Sequence, residues 1–269
     1  MNNTTTAVQT AQTQQPVQAV KQTLNTMLGS ELVKKRFFEI LGKKSAGFIS
    51  SILSVVKNND MLTKADPASV LNSAVIAATL DLPINPNLGY AYIVPYKGAA
   101  AFQMGYKGYV QLAMRTGQYK TINAVEVHEG DIVSENPFTG EYEFDKVLHR
   151  DAPVIGYMAY FKLLNGFEKY MYMSSEELKQ HGMKYSQTYK RGGGLWATEF
   201  DAMAKKTVLK LLLSKYGILS IEMQTAVQTD QAVLKGDLIE NGIEDVQPEY
   251  VDNNPEEQRA AAIEESVKL

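Results

Sequence analysis

Residues 89–115 read GYAYIVPYKGAAAFQMGYKGYVQLAMR, and a change of period inside this stretch decides the fold class. Tyr90, Tyr92 and Tyr96 interleave with apolar Ala91 and Val94 in a run that reads as a strand, and Lys97-Gly98 supplies a tight turn into a second strand over Ala99 to Gln103. From Tyr106 the period lengthens. Lys107, Gln111 and Arg115 recur every four residues, a polar, cationic stripe on a helix, while Tyr106, Tyr109, Val110 and Ala113 share another face. Gly117 ends that helix. A hairpin running straight into an amphipathic helix makes the chain α+β.

Cations beside an aromatic strand suit a single nucleic-acid strand: the charges pair with phosphates, and the rings offer stacking surfaces that ignore base identity. The same residues also fit half-buried sheet tyrosines next to a solvated helix face, so this stretch alone leaves both readings open.

Working outward, residues 1–29 are rich in Thr, Gln, Asn and Ala, with Lys21 their only charged side chain, and are expected to be mostly disordered. Ser30 is placed to cap a helix through Leu41, and Ala46 to Lys57 forms a second, amphipathic one. Asp66-Pro67 starts an apolar core helix that stops before Pro83. Beyond the striped helix, Tyr119 to Val127 alternates as a strand, and a loop-rich passage follows the turn at Glu129-Gly130-Asp131. Ala152 to Leu163 and Glu168 to Met173 read as a strand pair joined at Asn165-Gly166. Ser174 begins a short helix with Glu176 and Glu177 in its first turn.

Met183 to Gly194 (MKYSQTYKRGGG) is expected to be a mobile loop whose Lys190 and Arg191 interleave with Tyr185 and Tyr189. Leu195 to Tyr216 carries the longest helix signal and is almost wholly apolar in its later turns. Lys206 and Lys210 lie one turn apart on it, and lysines in so apolar a helix need an anionic partner. Lys205 points elsewhere, toward an expected pairing with Asp201. Ile221 to Val233 continues as helix, a linker begins near Asp237, and a last helix is expected over Gln258 to Lys268.

The 269 residues are 45% hydrophobic, enough for a sizeable core. The net charge of −3 conceals a split: residues 230–269 hold 11 acidic and 3 basic side chains, leaving 19 acidic and 24 basic before them. A body near +5 with a tail near −8 fits a nucleic-acid binder with an acidic tail. Without cysteine, disulfides and thiolate sites are excluded, and the lack of a secretory signal or spanning apolar run predicts a soluble, cytoplasmic protein that contacts no membrane. No Gly-x-x-x-x-Gly-Lys-[Ser/Thr] loop or Gly-x-Ser-x-Gly elbow occurs, so the chain is expected to use no ATP, no metal and no catalytic residue. One enzyme alternative stays open, a metal nuclease built on Glu126, His128, Glu129 and Asp131.

In order and spacing, the chain resembles the RecT family of phage and prophage single-strand annealing proteins. The resemblance runs from about residue 30 to 233. It rests on Gly89-Tyr90-Ala91-Tyr92 with Val94-Pro95-Tyr96, Gly105-Tyr106-Lys107-Gly108 through Gly117, Glu129-Gly130-Asp131, Trp196 with Met203-Ala204-Lys205-Lys206-Thr207, and Ser220-Ile221-Glu222. It implies a small antiparallel sheet with a protruding β-hairpin, backed by a long helix and flanked by others. It also implies an ATP-independent recombinase of phage or prophage origin in a bacterial cytoplasm. Such a protein coats single-stranded DNA, pairs it with a complement and holds the annealed duplex in a homo-oligomer, as a helical filament or ring.

The organisation expected is thus residues 1–29 as a disordered segment, 30–233 as the annealing and oligomerisation core, and 234–269 as an acidic tail that takes an exonuclease or a host single-strand-binding protein as partner. The DNA-binding set is Lys107, Arg115, Lys206 and Lys210, supported by Lys205, Gln111, Tyr106, Tyr92, Tyr96, Lys97, Lys190 and Arg191. Subunit contacts are expected from the helices of residues 30–82. A passive single-strand-binding protein is the alternative function, and magnesium is expected only to modulate DNA binding.

Overall fold

The computed structural model describes residues 23–236, 238–241 and 247–250. It is α+β, with three antiparallel sheets among the described residues, the larger two packed mainly against one helix each. The chain opens with α1 (Leu24–Gly29), α2 (Glu31–Leu41), α3 (Ser45–Lys57) and α4 (Asp60–Thr63). Helix α1 falls where a mostly disordered segment was expected, because the Thr23 side chain caps it and Leu28 is buried in the core. Ser30 caps α2 by accepting from the Val33 amide.

Helix α5 (Pro67–Thr79) is the hub of the first half. Asp66 caps it, proline stands at its first turn, and all ten residues from Ser69 to Ala78 are buried. It backs a four-stranded sheet of order β1-β2-β8-β9, from Ala91–Tyr96, Ala99–Met104, Ala232–Lys235 and Gln247–Tyr250. The β1–β2 hairpin turns at Lys97-Gly98 as expected, with Tyr92 opposite Gln103 and Tyr96 opposite Ala99. It is lashed down at its tip, for the Asp66 amide donates to the Gly98 carbonyl at 2.8 Å and the Ala100 amide to the Ser69 hydroxyl at 2.7 Å. At the other side of the sheet, Asn72 donates to the Leu234 and Gly236 carbonyls.

Helix α6 (Tyr106–Arg115) leads to the second sheet, of order β3-β6-β7, from Tyr119–His128, Val154–Leu163 and Glu168–Ser174. The passage read as loop contains another hairpin, β4 (Ile132–Asn136) and β5 (Glu141–Phe144). Both strands are exposed on almost every residue, and their short aromatic face, Tyr142 and Phe144, rests on Tyr170 of β7. Phe138 at the hairpin's turn is 97% accessible.

Helix α7 (Ser175–Tyr185) begins with a full capping box between Ser174 and Glu177. It runs into the segment expected to be a mobile loop, where Ser186 caps a further turn, α8 (Gln187–Lys190). The long helix breaks at Glu199 into α9 (Leu195–Thr198) and α10 (Phe200–Tyr216), and α10 backs the second sheet. Helix α11 (Ile221–Thr229) stops short of the expected Val233: Gln231 takes φ 65° and Ala232 pairs with Phe102 as part of β8. Helix α12 (Leu238–Asn241) packs back on α5 where a linker was expected. The helix expected over residues 258–268 lies outside the described residues, as do residues 1–22.

Candidate nucleic-acid interface

Two glycines explain why α6 starts where it does. A Cβ on Gly105 would stand 2.1 Å from the Gly89 carbonyl oxygen, and one on Gly108 would stand 2.3 Å from that of Tyr90. Backbone thus packs directly on backbone, with the Gly105 amide donating to the Tyr90 carbonyl at 2.8 Å. Gly89 itself takes φ +76°, and over its open side the Lys107 stem and the Tyr92 hydroxyl both come within 3.6 Å of where a Cβ would be.

Lys107 is exposed, and no carboxylate among the described residues pairs with it. No side chain caps α6, so its first-turn amides and the positive end of its dipole stand free of a side-chain acceptor, next to Lys107. Burial raises the Tyr92 phenol above its usual range, keeping it neutral. Tyr96 lies at the far, turn end of the same hairpin, opposite Ala99, with the Lys97 ammonium 4.9 Å from its ring centre. Gln111 and Tyr106 are half-buried, Tyr106 against the core.

The other expected cations divide. Arg115 ends the stripe but is committed to the C-terminus of α5, donating to the Leu80 carbonyl at 2.5 Å and the Asp81 carbonyl at 2.7 Å. Lys206 and Lys210 do face an anion, and it is the carboxylate of Asp230, 1% exposed, at 3.5 and 2.7 Å. That carboxylate also accepts from the Met104 amide at 2.8 Å and the Tyr109 hydroxyl at 3.0 Å. Burial would raise the Asp230 pKa, but Lys206, Lys210 and the amide outweigh it and hold the group at about 2. Burial drives the Tyr109 phenol well up, with Asp230 adding to it. One carboxylate therefore ties β2, α6 and α10 to the end of α11. Asp230 was counted above with the acidic tail; it belongs to the core.

Lys205 does not pair with Asp201 on its own helix. It crosses to Glu126 of β3 at 2.6 Å, and Asp201 accepts from the Tyr157 hydroxyl. These contacts also redistribute the residues of the metal-nuclease alternative: Glu126 is held by Lys205, and Asp131 accepts from the His128 and His149 amides. Among the described residues no group of three acidic or histidine side chains is arranged for a metal.

Lys190 and Arg191 are exposed at the end of α8, and Lys184 of α7 reaches over the Tyr185 ring. Their base is firm: Gly182 lets Trp196 and Tyr189 approach so closely that a Cβ would lie 3.0 Å from each. His181 packs into the same nest, its pKa pushed down to about 4 by burial and then by Lys210 and Lys184. Lys210, 28% exposed, thus stands between the Asp230 hub and this basic surface.

Sequence reasoning missed two features. Asp230 had no periodic signal, standing alone between a helix and a strand. The second was a bank of rings on β5, β6 and β7, in which Tyr170 lies 4.6 Å from Tyr160 and 5.7 Å from both Tyr142 and Phe144. Its trace was the two-residue spacing of Tyr142-Phe144 and Tyr170-Tyr172, overlooked because residues 132–144 read as loop.

The sequence pattern of the RecT family matches residues 46–249. An uncharacterized protein of Bacillus subtilis (strain 168), YqaK, is 53% identical over 220 residues, covering 82% of this chain and 76% of that protein. Protein RecT of Escherichia coli (strain K12) is 32% identical over 184 residues, covering 63% of this chain and 65%, just under two thirds, of that protein. Among the described residues no helix is long and apolar enough to cross a membrane.

Proposed function

Because this chain belongs to the RecT family, we propose that it is a single-strand annealing protein of homologous recombination that works without ATP. The observation that carries the reading is the unpaired Lys107, lying beside Tyr92 at the uncapped start of α6. One strand runs past this corner. Lys107 and the first-turn amides take phosphates, Tyr92 and Tyr96 offer ring faces, and Lys97 extends the charge along the hairpin. Lys190, Arg191 and Lys184 supply a second bank of phosphate contacts, and Lys210 joins the two. Lys206, Arg115 and Lys205 act indirectly, by holding the elements that carry these groups.

Annealing then requires no bond chemistry. Cations screen the repulsion between two strands, and a strand held by its phosphates keeps its base edges open to a complement. The product duplex stays on a homo-oligomer whose contacts come in part from the helices of residues 30–82, where Leu32, Phe38, Leu53 and Met61 are exposed. Exonuclease and host single-strand-binding partners belong to the residues beyond 233.

The test loads one fluorescent oligonucleotide with protein, adds its labelled complement without nucleoside triphosphate, and follows energy transfer against a noncomplementary control. Fast pairing that depends on complementarity and leaves the duplex protein-bound is expected. Binding with pairing no faster than for bare strands would make the protein a passive coat.

A further inference from the structure

The acidic hairpin β4–β5 does not suit DNA. Residues 129–145 contain Glu129, Asp131, Glu135, Glu141, Glu143 and Asp145 and no Lys or Arg, and the one lysine seated on the turn, Lys169 of β7 donating to the Thr139 carbonyl, leaves the hairpin strongly acidic and unsuited to a phosphate backbone. Among the described residues, the one basic side chain these six carboxylates touch is His149, whose Nε2 lies 3.3 Å from Asp145. Yet the same hairpin exposes large apolar side chains, Val133, Phe138 and Phe144, with Phe138 at its turn 97% accessible. An aromatic ring presented on an acidic arm is built for a surface that is apolar within and basic at its rim.

Such a surface exists on the helices at the other end of the sequence. Between α2 and α3 a groove of about 490 Å³ has Leu28, Phe38 and Ile49 along it, with two lysines, Lys34 and Lys35, and one carboxylate, Glu31, at its rim. Phe38 is itself 59% exposed. The segment from residue 30 to 45 carries Lys34, Lys35, Arg36, Lys43 and Lys44 against Glu31 and Glu39, with Lys44 turned to Asp81 beyond it. Lys35 is held no closer than 3.9 Å by Glu39, and Lys34 pairs only with Glu31 one turn before it, both contacts being exposed ones of small worth.

We propose that the β4–β5 hairpin of one copy docks in the α2–α3 groove of the next, with Phe138 in the apolar floor and Glu141 and Glu143 against Lys34 and Lys35. The occupant is a second copy of this chain. Knob and socket lie on different elements, so the contact is head-to-tail, and repetition gives an open helix or a closed ring. The inference deepens the oligomer reading above by naming the two surfaces that meet; it leaves the strand-binding corner at Lys107 free.

The experiment measures mass distribution by sedimentation velocity over a concentration series, with and without long oligo(dT). Binding of an oligo(dT) of about 10 nucleotides, short enough for one protomer, is followed in parallel. Phe138→Ser, Glu141→Lys with Glu143→Lys, and Lys34→Glu with Lys35→Glu are each expected to weaken self-association about tenfold or more while short-oligonucleotide binding persists. All of these side chains are exposed, so folding is spared. The decisive variant combines the two charge reversals, and wild-type assembly should return in it.

Unchanged masses for Phe138→Ser, no recovery in the combined variant, or a wild-type protein that is monomeric at every concentration overturns the contact. Failure to anneal by a protein that still shows the charge-swap rescue would sink the proposed function and leave this contact standing.

Discussion

Two lysine-bearing helices meet in this molecule, and their lysines do opposite things. On α10, Lys206 is buried and spent on Asp230, with Lys210 shared between that carboxylate and the surface. On α6, Lys107 is exposed beside Tyr92 with no carboxylate partner among the described residues. Along the sequence Lys107 falls in a polar stripe and Lys206 and Lys210 in an almost wholly apolar helix, yet both sites read as facing a phosphate. A lysine in an apolar helix is therefore as much a sign of an internal counter-ion as of an external phosphate. What separates the two is whether the fold brings a carboxylate within reach.

The strongest way to break this contrast is to remove the buried anion. Asp230→Ala leaves Lys206 charged in the core and should cost about 3 to 5 kcal/mol in urea unfolding; a loss under about 1 kcal/mol would mean the hub holds nothing together.

Next in size is a pH effect from the histidine beside Lys210. The unfolded chain takes up a proton on His181 near pH 6.5, the folded chain only near 4. Between those values the unfolded state binds more protons, so stability is fully present above 6.5 and falls by about 3 kcal/mol as the pH drops to 4. Asp230 acts in a separate, lower window, its contribution being lost as the pH falls from about 3.8 toward 2. His181→Gln should flatten the upper window alone, which thermal melts across the pH series will reveal.

Smaller still, Gly105→Ala forces α6 off the backbone of Gly89 and should cost about 1 to 3 kcal/mol. Strand affinity should drop with it, since Lys107 moves too; intact affinity in a destabilised variant would detach the corner from DNA.

The smallest effect on stability sharpens the comparison most. Lys107→Ala should leave unfolding within about 0.5 kcal/mol of wild type while lowering the salt slope of single-strand binding by about 0.7. An unchanged slope removes Lys107 from the interface.

Much of the fold was legible along the chain. The Asp66-Pro67 start of α5, the Lys97-Gly98 and Asn165-Gly166 turns, and the stripe of α6 all rest on local rules, which act within a few residues. The β4–β5 hairpin was overlooked because its alternation is confined to Glu141-Tyr142-Glu143-Phe144, too short a signal in an otherwise exposed, turn-rich passage. The turn of α8 hid behind three glycines, although Ser186 and Tyr189 stabilise it. Of the candidate site, Lys107 and Tyr92 meet over Gly89 at the start of α6, Tyr96 and Lys97 sit at the turn end of the hairpin, and Lys190 and Arg191 are exposed. Arg115 and Lys205 found partners across the fold.

By itself the sequence determined the α+β class, the order of most elements, the membership in a recombination family and the separation of charge along the chain, since these follow from composition, period and motif order. Only the tertiary structure decided which cations are free. An ion pair such as Lys206–Asp230 joins residues 24 positions apart, and that of Lys205 with Glu126 joins residues 79 apart. Nothing in the local chain encodes such a meeting, because it is set by where two sheets and their helices come to rest against one another.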